Sequence, residues 1–172
     1  MGPIQYVFIA IGIMITLIGL ARGYEKELGN SIIFMVTVSL LGFIENRYEE
    51  QIRNIASSIL GISDPSTFLW LFFSGIFIVV VFMSYSGVTF NFGGRPASGF
   101  WGHFISLLVG VFNGYLVAGT LWYYADKYSY PLTNTAGGLD AQGQAALNLL
   151  PQNVFPDPLY WILPAAVLLI LR

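Results

Sequence analysis

Residues 101–122 read WGHFISLLVGVFNGYLVAGTLW, an unbroken run without Asp, Glu, Lys or Arg. In a helix rising about 1.5 Å per residue, Trp101 and Trp122 stand roughly 32 Å apart. That separation matches a hydrocarbon core of about 30 Å, and tryptophan is enriched at the two edges of such a core. Ser98, Gly102, Ser106, Gly110, Gly114 and Ala118 recur every four residues through this stretch. They form one ridge of small side chains, along which a neighbouring helix can approach the backbone closely. The neighbour can belong to the same bundle or to another copy. Asn113 lies mid-span beside the ridge, where an amide in lipid is costly unless hydrogen-bonded. An interhelical bond is its structural reading, and a polar group lining a path its functional one.

The rest of the chain has the same character. Of 172 residues, 56% are hydrophobic and 9% charged, against about 25% charged in an ordinary soluble domain. Net charge is −2, so no basic stripe exists to neutralise phosphates and no nucleic-acid partner is expected. With no cysteine, disulfides and thiolate chemistry are excluded. The N-terminus lacks the basic region of a secretory signal, and Tyr6 stands where myristoylation needs Ser or Thr.

Further spans are predicted at residues 4–20, 28–44 and 67–88. Arg22 and Gly23 mark a membrane boundary and turn after the first. Glu25 to Glu27 read as the wet first turn of the second helix, where acidic residues suit the positive end of the helix dipole. Ser63-Asp64-Pro65 is a helix start with Asp64 as N-cap. Over residues 44–62, Ile44, Tyr48, Ile52, Ile55, Ile59 and Ile62 recur at three and four, between Glu49, Glu50, Arg53 and other polar residues. This predicts an amphipathic helix lying on the membrane surface, docking a partner or capping the protein's own bundle. Asp140 is placed to cap a short helix reaching Leu150. Residues 159–171 are apolar, contain Pro164 and are too short to span. The expected fold is an all-α polytopic membrane protein: a four-span domain over residues 1–128, a polar connection over 129–158 and a short apolar segment over 159–172. Lys and Arg are divided equally between the two sides of such a bundle, so orientation does not follow.

Few residues suggest chemistry. His103 is the only histidine; its sharp reading is an axial ligand to a pigment or haem, its plain one an interfacial side chain. Glu25, Glu27, Glu45 and Asp126 are all expected near the membrane surfaces. Proton-coupled transport uses acids or histidines inside the membrane, so a self-contained pump is not expected. A phosphate loop, a paired catalytic carboxylate site and a metal cluster are not seen in the sequence.

Residues 20–28, Leu-Ala-Arg-Gly-Tyr-Glu-Lys-Glu-Leu, resemble the L-x-R-G-F/Y-x-x-E turn of the colicin V production protein (CvpA) family. Residues 102–119 are similar to that family's glycine-rich last span, with Asp126 just beyond. The resemblance covers residues 3–128 and carries the family's turn motif onto Arg22, Gly23 and Glu27. Many members have a basic residue where Asn113 stands. The resemblance implies a multi-pass protein of the bacterial inner membrane, linked to colicin V production or export and to envelope homeostasis. Some relatives use the module to anchor a periplasmic serine protease. The expectation is a non-enzymatic scaffold or accessory protein without a cofactor, whose partners are membrane lipids and other membrane subunits or a second copy. The alternative is a structural or pigment-binding subunit of a larger energy-converting complex, and a third reading is a channel formed on oligomerisation.

Overall fold

The computed structural model describes residues 4–59, 61–87, 99–131 and 139–170. Its α-helices are α1 (Gln5–Arg22), α2 (Tyr24–Asn54), α3 (Pro65–Ser86), α4 (Phe100–Lys127), α5 (Ala141–Leu147), α6 (Pro151–Val154) and α7 (Leu159–Ile170). Helices α1 to α4 are each long and apolar enough to cross a membrane. The fold is therefore the all-α, four-span membrane architecture expected.

Local chemistry fixes the breaks. Gly23 joins α1 to α2 at φ +89°, a conformation that side chains disfavour. Its N–H donates to the Gly19 carbonyl, 3.0 Å away. Asp64 caps α3 by accepting from the Ser66 N–H at 3.1 Å. The Thr67 hydroxyl also donates to Asp64, and these bonds hold its carboxyl below its usual range. Asp140 caps α5 by accepting from Gly143 N at 2.8 Å, which with Gln5 lowers its carboxyl likewise. The short helix ends at Leu147 instead of Leu150, and α6 restarts at Pro151.

The long helices alternate in direction. Helix α1 packs chiefly along α4, while α2 contacts α3, α4 and α7. Phe34, Phe73, Phe77, Leu116 and Tyr124 are fully buried between them, with the Phe73 and Tyr124 rings stacked at 5.1 Å. The outward faces carry exposed Ile13 and Leu17 on α1, Val79 and Phe82 on α3, and Leu108 and Val111 on α4. Apolar surface this extensive belongs against lipid or another membrane protein.

Three expectations change in detail. The amphipathic segment is helical, but it continues α2 without a break through the π-helical turn Ile55–Ile59. The whole helix, Tyr24–Ile59, has 36 residues and is roughly 54 Å long. It outruns the bilayer in its own direction because no Gly or Pro interrupts residues 43–59. Of the apolar stripe, Ile52 joins the core, whereas Ile55 and Ile59 are exposed. Trp122 is not an outward anchor. It is buried, stacked on Phe8 at 5.4 Å, and donates to the Tyr130 hydroxyl at 3.0 Å. The apolar tail forms α7, packed on α2 through buried Trp161 and Ala165. Ser39 donates to the Pro158 carbonyl at its start, at 2.7 Å.

Candidate functional site

The predicted ridge on α4 is an internal seam. Gly102, Ser106, Gly110, Gly114 and Ala118 are all buried; Ser98 lies outside the described residues. A Cβ on Gly114 would stand 2.5 Å from the Gly12 carbonyl oxygen, and one on Gly110 2.8 Å from that of Thr16. Gly12, Thr16 and Gly19 form the matching stripe on α1, spaced four and three apart, a pattern already present in the sequence. The Thr16 hydroxyl spans the seam, donating to its own helix at Gly12 (2.8 Å) and toward Gly110 (3.3 Å). Gly119, outside the register, is small for a different reason: Pro151 of α6 rests on it.

At one end of this seam the four long helices meet on a single carboxylate. Glu27 has no exposed surface. Its Oε2 accepts from Asn113 Nδ2 (α4, 2.8 Å) and from the Tyr85 hydroxyl (α3, 3.1 Å). Its Oε1 accepts from Asn30 Nδ2 at 3.2 Å and faces Arg22 Nε of α1 at 3.7 Å. Around it, Asn113 also donates to the Glu27 carbonyl at 2.9 Å and accepts from Ser31 at 2.7 Å. Ser84 donates to Asn30 at 2.6 Å. Arg22 lies over the Tyr85 ring, 4.9 Å from its centroid, and donates to the Tyr85 carbonyl at 3.3 Å. Both carboxylate oxygens have partners, the condition under which a buried charge is tolerated.

This corrects the placement of Glu27. It is not in a wet turn but inside the bundle, because the α1–α2 turn dips below the start of α4. The Tyr24 N–H donates to Ser106 Oγ at 3.0 Å, and Ser106 is five residues, roughly 8 Å, inward of Trp101. Asn113 is twelve residues in, roughly 18 Å. Glu27, expected near the membrane surface, is instead fully buried among the four helices. Asn113 makes the interhelical bonds of its structural reading. The motif residues Arg22, Gly23 and Glu27 come together with it.

Above this node the turn opens into a cavity of about 320 Å³. Arg22, Glu25, Lys26, His103 and Ser106 line it, together with Leu20 and Ala21. His103 is exposed, and its Nδ1 lies 3.0 Å from the Gly99 carbonyl; a carbonyl only accepts, so that nitrogen carries the proton. His103 does not meet the Glu27 node, and no group of three or more His, Cys, Asp or Glu that could hold a metal occurs among the described residues.

A second polar cluster sits at the opposite end of α2. Lys127 bonds to Glu45 and, at 2.8 Å, to Glu49. Tyr123 donates to Glu45 at 2.7 Å, and Arg53 to Glu49 at 3.1 Å. Glu27 and Glu45 are eighteen residues apart, so roughly 27 Å of helix separates the two clusters, about one bilayer core. Compared with family models, curated proteins and solved structures, the chain matches none.

Proposed function

We propose that the protein is a non-enzymatic membrane scaffold or accessory subunit of the CvpA type, acting in the bacterial inner membrane. The observation that supports this reading is the Glu27 node. The residues that carry the family resemblance, Arg22, Gly23, Glu27 and the glycine-rich α4, serve to lock four helices together, and Asn113, where the chain departs from the family, bonds to the same carboxylate. Each polar atom of that carboxylate is used in holding a neighbour, which is the work of a framework. In this reading Asn113 Nδ2 occupies the place of the basic residue common in the family and donates to the same carboxylate. The exposed apolar faces of α1, α3 and α7 then offer surface to partner subunits and lipid.

Complementation tests it. Expression in a strain lacking CvpA should restore colicin V production with the native chain and fail with Gly114→Leu, which separates α1 from α4. A native chain that inserts stably yet restores nothing refutes the assignment. Absorption of the purified protein addresses the pigment reading: a stoichiometric chromophore lost on His103→Ala would replace the scaffold proposal.

A further inference from the structure

We propose that the cavity at the α1–α2 turn binds the headgroup of a membrane phospholipid bearing a phosphate and a primary ammonium, as in phosphatidylethanolamine. The inference stands on the cavity alone and does not depend on the scaffold reading.

Three observations point the same way. The first is position: the cavity lies beside Gly102, His103 and Ser106, in the first turns of α4 next to exposed Trp101 and Phe100. Exposed tryptophan marks headgroup depth, so what reaches this opening sideways is lipid. The second is its mixed lining, in which the apolar side chains of Leu20 and Ala21 stand beside the polar ones of Arg22, Glu25, Lys26, His103 and Ser106. An amphiphile matches a lining of both kinds, whereas a free ion makes no use of Leu20 and Ala21.

The third is charge. Arg22 already faces Glu27, which leaves one cation, Lys26, and one anion, Glu25, to face an occupant. Glu25 Oε1 is buried without a hydrogen-bond partner. A carboxylate in that state lacks a donor, and unmet polar groups of this kind are costly. Glu25 also lines the cavity, so a donor seated there reaches its carboxylate. An ammonium supplies N–H donors to Glu25 while the phosphate accepts from exposed Lys26. A choline headgroup carries the same net charge but has no N–H to give, and a glycerol headgroup brings no cation.

The test uses the full chain in detergent, titrated separately with phosphatidylethanolamine, phosphatidylcholine and phosphatidylglycerol. Retained lipid is counted by native mass spectrometry, and the shift in Tm is followed in parallel. Ethanolamine lipid should be retained about tenfold better than choline lipid, one charge-assisted hydrogen bond's worth. Glu25→Gln, which keeps the shape of the side chain, should bring it down to the choline level and leave glycerol lipid unchanged. Lys26→Gln, on an exposed side chain, should weaken ethanolamine and glycerol lipids by the same factor. Free phosphoethanolamine should fail to displace bound lipid, since it cannot use Leu20 and Ala21. Equal retention of ethanolamine and choline lipids overturns the proposal, as does a preference that survives Glu25→Gln. Retention unmoved by Lys26→Gln removes the phosphate seat. Displacement by free phosphoethanolamine overturns the membrane source.

Discussion

At the scale of single residues, Asn113 is the side chain whose chemistry decides most. Its amide donates to Glu27 at 2.8 Å and accepts from Ser31 at 2.7 Å, so it satisfies a carboxylate without adding a charge. Replacing it separates donor from shape. Asn113→Lys should fold, because an ammonium opposite Glu27 keeps a donor there and reproduces the basic residue the family resemblance implies. Asn113→Asp should lower stability by about 2 kcal/mol or more, since it sets two carboxylates together away from water. Thermal unfolding in detergent checks both, and equal Tm values for the two variants would show that the Glu27–Asn113 bond contributes nothing. That Asn113 bonds across helices was legible from its mid-span position, because an amide in lipid needs a partner. The partner's identity was not. Glu25, Lys26 and Glu27 read together as a wet charge run, yet only Glu27 shares a face with Asn30, Ser31 and Phe34, at spacings of three, four and seven. Those polar residues continuing inward along α2 were the available signal that this face is buried and polar.

At the scale of elements, the α1–α4 seam turns small side chains into a specific fit. A membrane gives helices no hydrophobic reason to associate with one another, so close packing of backbones does that work. A Cβ at Gly114 meets backbone that cannot rotate away, 2.5 Å from the Gly12 oxygen, whereas a Cβ at Gly75 on α3 meets nothing within 4 Å. Gly114→Ala should therefore destabilise the monomer by about 1–3 kcal/mol, and Gly75→Ala should be neutral or slightly stabilising. Parallel melting curves decide it, and identical behaviour of the two would mean the seam is looser than its geometry. The ridge on α4 was plain in the sequence, since a four-residue register survives without knowledge of the fold. Its partner was less so, because Gly12, Thr16 and Gly19 form a shorter stripe in a helix that already reads as an ordinary span. The end of α2 was misjudged for a related reason: periodicity reports which face is apolar, not whether the chain bends before that face begins.

Across the whole molecule, the alternation of four long helices places Lys26 at one end and Ser129 at the other, both exposed. The natural chain has no cysteine, so single substitutions give clean topology probes. Lys26→Cys and Ser129→Cys should react with impermeant maleimide from opposite faces of intact vesicles. Reaction from one face would contradict the four-span bundle.

The same four helices differ in length: α1 has 18 residues and α3 has 22, roughly 27 and 33 Å. Both present apolar side chains outward, so a bilayer matched to each would be thinner along α1 than along α3. Such mismatch costs a fraction of a kcal/mol per ångström and sorts proteins among bilayers. A helix with an equally short apolar stretch, settling against α1, would share the thinned patch and relieve the deformation for both. The thickness of the surrounding membrane thereby becomes a selector of neighbours, acting before any side chain of the partner is touched.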